Sequence, residues 1–156
     1  MVSVTLNGAN NQDLPEKVHI ADDVYEAVIK DISDPFITPN KFEGEDKEKI
    51  VVSFEIKEGD KEYTLPMFVT TTVSKGEGNY SNSKLYDVLD KKELIEDFKS
   101  TWEKISVMDK EVHEEKFTEY LRDNLIGAKC KVLTKTVNKD DAERRYSIVK
   151  EITRYI

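Results

Sequence analysis

Apolar and polar residues alternate most clearly from Ile50 to Lys57, which predicts a β-strand with one face in the core and one near water. The core face would carry Ile50, Val52, Phe54 and Ile56, and the other face Val51, Ser53, Glu55 and Lys57. Glu58-Gly59-Asp60 favours a tight turn, so Lys61–Thr72 is predicted to return as the partner strand of a hairpin. Pro66 cannot donate to a ladder, and we therefore expect it on an edge or at a bulge.

Val24–Ile32 is predicted to be another strand, but its apolar residues populate both faces. A strand of this kind is normally covered on both sides, so we expect it to be buried. Asp34-Pro35 ends it, and residues 33–49 are predicted to form a polar loop. Residues 1–20 show no sustained period and are predicted to form a loose leader before one folded domain, residues 21–156.

Between residues 83 and 125 the apolar residues recur at helical spacing, which predicts a helical insertion. Ser83 is a suitable N-cap for a short first helix and Asp109 for the last one, and Gly127 is suited to end the last helix. The apolar residues of these helices are Leu85, Val88 and Leu89, then Leu94, Ile95, Phe98, Trp102 and Ile105, then Phe117, Tyr120, Leu121 and Leu125. Two more strands are predicted at about Lys129–Val137 and Arg144–Ile152.

The predicted order is therefore three strands, a helical segment and two strands. A mainly β protein with an α-helical insertion at this place is expected to be an OB-fold-like five-stranded barrel, with the helices between strands 3 and 4. A long first strand shared by both halves of the barrel would explain the two apolar faces of Val24–Ile32. An α+β domain with an open antiparallel sheet is the alternative.

Four short segments resemble the small OB-fold single-stranded DNA-binding proteins of archaea and phages. They are Val24-Tyr25-Glu26-Ala27-Val28-Ile29, Val51-Val52-Ser53-Phe54-Glu55-Ile56, Asn82-Ser83-Lys84-Leu85-Tyr86 and Leu125-Ile126-Gly127-Ala128-Lys129-Cys130-Lys131-Val132. Similar phage proteins carry an N-S-K-L helix start followed later by a G-x-x-C-x-V strand start. The resemblance spans Val24 to Ile152 and implies an OB-fold that binds single-stranded DNA.

Charge is distributed unevenly along the chain, whose formal net charge is −8. Residues 129–156 contain eight basic and four acidic side chains, whereas residues 1–128 contain 16 basic and 28 acidic ones. The last two strands are therefore predicted to form a basic hairpin, which favours an anionic partner, with nucleic acid as the first candidate. Asp140, Asp141 and Glu143 lie in its turn and would weaken the field there. A merely solvated basic face and an acidic protein partner remain as alternatives.

OB-folds usually bind ligands across their second and third strands, between the loop joining the first two strands and the loop joining the last two. Aromatic stacking and cations that follow the phosphates hold single strands there. The predicted nucleic-acid contacts are Phe36, Lys41, Phe42, Phe68, Lys131, Lys135, Lys139, Arg144, Arg145 and Tyr146. Packing is the alternative role for the rings: Phe36 and Phe42 as a lid, Phe68 against the helices, and Tyr146 in the core.

No motif indicates catalysis, so the protein is predicted not to be an enzyme. His19 and His113 are far apart, no zinc-ligand spacing is present, and no cofactor is predicted. Cys130 alternates with Val132 at a strand start, which favours a buried thiol over a nucleophile. No apolar run approaches the roughly 18 residues of a membrane span, and no signal-peptide pattern is present. These features predict a cytoplasmic protein that does not enter a membrane.

A protein-interaction module is the second hypothesis. The acidic segment Glu93–Glu119 carries Phe98, Trp102 and Phe117, and Tyr120 follows it directly. If these rings cannot all pack against one barrel, some would form a surface for a basic partner or a second copy of the chain.

Overall fold

The computed structural model of the protein describes residues 17–38 and 47–156. Within these residues the chain is mainly β, as predicted, and forms six strands and three helices. The strands are β1 (Val24–Ile32), β2 (Phe36–Thr38), β3 (Lys47–Glu58), β4 (Lys61–Thr70), β5 (Lys129–Val137) and β6 (Tyr146–Tyr155). The helices are α1 (Lys84–Asp90), α2 (Ile95–Ile105) and α3 (Lys110–Leu125), which follow one another between β4 and β5.

β3 and β4 form the predicted antiparallel hairpin, in which Glu58 pairs with Lys61. Gly59 begins the turn with a φ of 62°, a conformation that glycine adopts without steric cost. The predicted core face is confirmed, since Ile50, Val52, Phe54 and Ile56 are each 0% exposed. Among the described strands β4 pairs only with β3, so Pro66 lies on an edge strand as expected.

The opposite face of β3 is less exposed than alternation predicts, because Val51 and Ser53 are buried. The chain segment after β1 approaches here: the Ser33 N–H donates to the Val51 carbonyl at 2.9 Å, and the Val51 N–H donates to Ser33 Oγ at 2.8 Å. Across the hairpin Val51 pairs with Phe68 and Ser53 with Pro66. Side chains paired in this way lie side by side, so this face carries an apolar patch.

β1 has the predicted bounds, but the prediction that both of its faces are covered is wrong. Ile29 and Ile32 are buried, whereas Val24 is 47% exposed and Val28 is 36% exposed. A register shift opposite β3 between Ile29 and Asp31 turns Ile32 back towards the core. The outer valines lie on a solvated face, and only the inner residues join the core.

The long strands follow the order β4-β3-β1-β5-β6, with every pair antiparallel, and the short β2 pairs with the first residues of β3. β1 therefore connects the β3–β4 hairpin to the β5–β6 hairpin. The two end strands, β4 and β6, approach within 8 Å between Cα atoms. No hydrogen-bonded ladder joins them within the described ranges, so the sheet is curved but not closed.

α1 is the short helix that the sequence predicts. Ser83 Oγ caps it by accepting a backbone N–H three residues later at 3.2 Å. The predicted apolar residues are all buried: Leu85, Val88 and Leu89. The Tyr155 hydroxyl donates to the Val88 carbonyl at 3.0 Å, and Lys91 Nζ donates to the Ile152 carbonyl. These two bonds fix α1 against β6.

α2 and α3 pack together through the aromatic residues that recur at helical spacing. Phe98 stacks with Trp102 at 6.1 Å between ring centres, and Phe117 meets both rings at steep angles. The Tyr120 hydroxyl donates to Asp97 Oδ2 at 2.7 Å and so joins the two helices. Most of this aromatic surface is thus covered within the protein itself.

The ends of α3 differ in how they are capped. Asp109 is the N-cap residue of α3, as predicted, but its carboxylate makes no capping bond, and its carbonyl accepts the N–H groups of Val112 and His113 at 2.9 and 3.0 Å. Gly127 follows the helix with a φ of 90°, as a helix terminator does. Its N–H donates to the Ile29 carbonyl at 2.8 Å, which places the start of β5 beside β1.

The segment before β1 is attached to the sheet. Ile20 is 7% exposed, and its N–H and carbonyl both bond to the Ser147 hydroxyl, at 2.9 and 3.0 Å. The Ser147 N–H donates to the Val18 carbonyl at 2.7 Å. The rest of the predicted leader, residues 1–16, lies outside the described residues.

Candidate nucleic-acid interface

The β5–β6 hairpin carries its basic residues on its outer face. In β5, Cys130, Val132 and Thr134 are buried, so the alternate positions 129, 131, 133 and 135 point away from the core. Lys131 is half-buried and lies between Arg154 of β6 and Glu26 of β1 in the strand register. Lys135 is exposed and pairs with Ile148. The predicted basic hairpin is present, with β6 starting two residues later than expected.

Lysines from three elements converge beside this hairpin, where α1 crosses β6. They are Lys84 at the start of α1, Lys91 just after it, Lys135 of β5 and Lys150 of β6. They line a cavity of about 310 Å³ that we call the lysine cleft. Its apolar lining is Met67, Val88, Ile148 and Ile152, and two acids, Asp87 and Glu151, complete it. Among the residues that the structure describes, four positive and two negative side chains therefore share this cavity.

The acids of the lysine cleft only partly offset the lysines. Asp87 Oδ1 accepts the Asn82 side-chain N–H at 2.9 Å, which fixes that carboxylate at the edge of α1. Partial burial lowers the pKa of Lys84; Glu151 opposes that effect, and the charges of Lys135, Lys150 and Lys49 add to it. Like charges held this close disfavour one another, so an anion entering the cleft would be stabilised.

The β5–β6 turn is held by Asp141. Its carboxylate accepts the Glu143 N–H at 3.1 Å and lies 3.7 Å from Arg144 Nε, while its carbonyl accepts the Arg145 N–H at 2.9 Å. The predicted contact Arg144 is thus already paired, although its side chain is 81% exposed and such a surface pair is weak. Arg145 and Lys139 are also exposed at this turn.

Two predicted aromatic contacts share one face of the sheet. Phe36 lies in β2 rather than in the predicted loop, and it pairs with Lys49, which pairs with Thr70 on the other side. Directly paired residues share a face, and Phe68 lies two residues from Thr70 on the same strand. Phe36, Lys49 and Phe68 are therefore on the same side. Phe68 is 37% exposed, and Phe36 is half-buried.

Of the remaining predicted contacts, Tyr146 is described by the structure and two others are not. Tyr146 is half-buried, and the Lys17 ammonium lies 4.9 Å from the centre of its ring, a cation–π distance. The predicted contacts Lys41 and Phe42 lie outside the described residues. Of the eight predicted contacts that the structure describes, Lys135 alone lines the lysine cleft.

Lys84, Lys91 and Lys150 belong to the cleft, but sequence reasoning did not select them. Lys150 was counted in the basic hairpin, and strand alternation near Val149 could have placed it outside. Lys84 lies in the N-S-K-L segment that carries the resemblance. Its approach to β6 depends on the docking of α1, which no local pattern encodes.

Cys130 is buried, as predicted. Its thiol lies 3.7 Å from the Ala27 carbonyl, and burial raises its pKa to about 12. A thiol with this pKa is almost entirely protonated near neutral pH, and the thiolate is the nucleophilic form.

Comparison with known proteins gives no relative. No protein-family model, no curated protein and no solved structure matches this chain. In residues 17–38 and 47–156, none of the helices has the length and apolar character needed to cross a lipid bilayer.

Proposed function

We propose that the protein is a non-enzymatic binder of single-stranded nucleic acid, with DNA as the first candidate, and that its fold is of the OB type. The observation that carries this proposal is the convergence of Lys84, Lys135 and Lys150 in one cleft beside the basic hairpin. Burial and, after it, the charges of the neighbouring lysines lower the pKa of Lys84, and phosphate groups that enter the cleft would offset the repulsion among these lysines.

The strand order supports an OB-type barrel. The first long strand pairs with the second and fourth long strands, and the two end strands approach each other without a ladder. The OB-fold is a five-stranded, partly open barrel, and closing β4 against β6 would complete it. In such barrels the second and third strands form the ligand face, which here corresponds to β3 and β4.

The same correspondence gives the aromatic residues a role. Phe68 and Phe36 share a face of the sheet with Lys49. The positive charge of Lys49 contributes to lowering the pKa of Lys84, after burial and the other lysines. Bases stacked on these rings and phosphates held by the lysines would be the usual combination for single strands, and it tolerates many sequences. The outer-face residues Lys131 and Arg154 would extend the phosphate path along the hairpin.

Fluorescence anisotropy tests the proposal with labelled oligo-dT, oligo-rU and duplex DNA at about 50 and about 200 mM salt. We expect single strands to bind and their affinity to fall with salt, with a log–log slope of about −0.7 for each phosphate contact. Replacing Lys84, Lys135 and Lys150 by Gln should reduce that slope by about 2 if each contacts one phosphate.

The matched control replaces Lys99, Lys104 and Lys110 by Gln. These exposed helix residues carry the same total charge but do not line the cleft. We expect the control to keep nearly the original slope. Absence of single-strand binding at about 50 mM salt contradicts the function. An equal change in both triple variants would show that binding depends on net charge and not on this cleft.

A further inference from the structure

A second cavity, of about 350 Å³, lies where α2 and α3 meet the ends of β3 and β4. We call it the aromatic cleft. Its rings are Phe98 and Trp102 of α2 and His113 and Phe117 of α3. The Trp102 ring is half-buried, and its centre lies 5.7 Å from that of His113 and 5.8 Å from that of Phe117.

Among the described residues, two glutamates, two threonines and one histidine supply the polar groups of the aromatic cleft. Glu48 and Glu114 line it, and both are half-buried. Glu48 Oε1 accepts the Thr71 hydroxyl at 2.9 Å, which orients that carboxylate. His113 Nδ1 is buried and has no hydrogen-bond partner in the described part of the chain. No Lys or Arg is found among the described residues that line the cavity.

We propose that the aromatic cleft binds the cationic side chain of a basic segment from a partner protein, with arginine preferred over lysine. A guanidinium would lie over Trp102, whose ring face attracts cations. Its N–H groups would donate to the Glu114 carboxylate, which lines the cavity and is half-buried. Arginine suits the site better because its planar group both stacks on rings and forms paired bonds to a carboxylate.

The surroundings of the cleft favour the same occupant. Residues 84–125 contain twelve acidic and eight basic side chains, so the helical region is negative overall. A negative surface attracts a basic segment and repels the phosphates of a nucleic acid. Within residues 17–38 and 47–156 the two clefts share no lining residue, so the two sites can be tested independently.

Trp102 is the only tryptophan in the chain, so its fluorescence reports directly on the cleft. The probe is an acetylated, amidated Gly-Gly-Arg-Gly-Gly peptide, and the control peptide carries citrulline, the neutral analogue, in place of arginine. We expect a saturable fluorescence change with the arginine peptide and binding weaker by about tenfold or more with citrulline, because a charged hydrogen-bonded contact is lost. Equal binding of the two peptides, or no saturable change, overturns the proposal.

Two variants separate a specific site from general attraction. Glu114→Gln should lower the affinity of the protein for the arginine peptide by about tenfold or more. Glu115→Gln removes the same charge at the next, exposed position, which does not line the cleft, and should leave the affinity unchanged. Equal weakening by both would show diffuse attraction and contradict the proposal. Circular dichroism of both variants checks that the fold is retained.

Two further measurements complete the test. Oligonucleotide binding should be the same in Glu114→Gln as in the original protein, so failure of this site and failure of the proposed function give different results. Sedimentation of the protein alone tests a second copy as the occupant. A dimer that Glu114→Gln dissociates would assign the cleft to the chain's own arginines and overturn the partner proposal.

Discussion

The lysine cleft and the aromatic cleft have similar volumes, about 310 and about 350 Å³, and opposite chemistry. The lysine cleft is formed by long side chains that extend from α1, β5 and β6 over an apolar floor. The aromatic cleft is formed largely by rings that also hold α2 against α3. The charged groups of the lysine cleft are therefore side chains above an apolar floor, whereas the rings of the aromatic cleft themselves take part in packing the helices.

This difference separates binding from stability. A net charge of −8 describes neither cavity, because four lysines and two acids line one of them, whereas the other has two glutamates and no Lys or Arg among its described lining residues. Changes in the lysine cleft should alter ligand affinity and leave the free energy of unfolding nearly unchanged. Changes in the rings of the aromatic cleft should alter the free energy of unfolding directly.

The largest expected effect is that of Phe117→Ala. Phe117 is 7% exposed, and its ring contacts those of Phe98 and Trp102 at 6.0 and 5.8 Å between centres. Removing it should lower the free energy of unfolding by about 3–5 kcal/mol through lost burial and a residual cavity. Urea unfolding followed by circular dichroism measures this loss.

Lys135→Gln is the control from the other cavity. Lys135 is exposed, and its replacement should change the free energy of unfolding by less than about 0.5 kcal/mol. A loss below about 1 kcal/mol for Phe117→Ala would place it in the range of ordinary substitutions. The distinction between a core cavity and a surface cavity would then be wrong.

Strand positions and inward residues could be predicted because alternation depends only on local geometry. The bounds of β1 and the core face of β3 followed from it. Alternation does not say what covers a face, however. Val28 is exposed although it is apolar, and Val51 is buried on the side expected to be near water, because Ser33 and Phe68 approach it.

The candidate site could be predicted only where its basic residues lie close together in the sequence. The basic residues of β5 and β6 could be counted directly. Lys84 could not be added to them, because its position depends on the Tyr155–Val88 bond and on the packing of α1. The aromatic cleft also required tertiary structure, since Glu48 and Glu114 come from distant parts of the chain. The predictions for Lys41 and Phe42 remain predictions.

A smaller effect is expected from Phe68→Ala, which tests the face of the sheet that carries Phe36 and Phe68. Stacking of one base on a ring contributes about 1–3 kcal/mol, so oligo-dT affinity should fall by that amount. The salt slope should not change, because no charge is removed. Binding of the arginine peptide should also be unaffected, since Phe68 does not line the aromatic cleft.

Tyr80→Ala is the matched control for this change. Tyr80 is an aromatic residue that is 83% exposed and outside the paired strands. The Tyr80→Ala substitution should leave the affinity for oligo-dT unchanged. Equal effects of the two substitutions, or no effect of Phe68→Ala, would remove the aromatic face from the proposed interface and restrict that interface to the lysines.

The smallest expected effect concerns the repulsion within the lysine cleft. The pKa of Lys84 is lowered from its ordinary value of 10.5, first by burial and then by Lys135, Lys150 and Lys49 against the opposing Glu151. The folded protein therefore holds this proton less tightly than the unfolded chain does. Between the lowered pKa and 10.5 the unfolded chain binds more protons, so the contribution of Lys84 to stability rises with pH.

Below that window Lys84 is charged in both states, and the folded state carries the full cost of desolvating the ammonium and of its repulsion by the other lysines. Lys84→Gln should therefore stabilise the protein near pH 7, but by no more than about 0.5 kcal/mol, because the residue is only partly desolvated and remains exposed to water. The advantage should shrink as pH approaches 10.5. The pKa values of Tyr120 and Tyr155 are raised, so the stability of the original protein and of Lys84→Gln falls at high pH. This fall is the same in both and cancels when their free energies of unfolding are subtracted.

Urea unfolding of both proteins from about pH 7 to about pH 10 measures this difference, and Lys99→Gln on α2 supplies the control. Adding pyrophosphate should reverse the order at neutral pH. A bound anion stabilises the folded state in proportion to its occupancy, and Lys84 contributes to holding it. If pyrophosphate stabilised both proteins equally, Lys84 would not contribute to binding an anion. The lysine cleft and the aromatic cleft would then differ in their residues but not in the charge of the ligand that they bind.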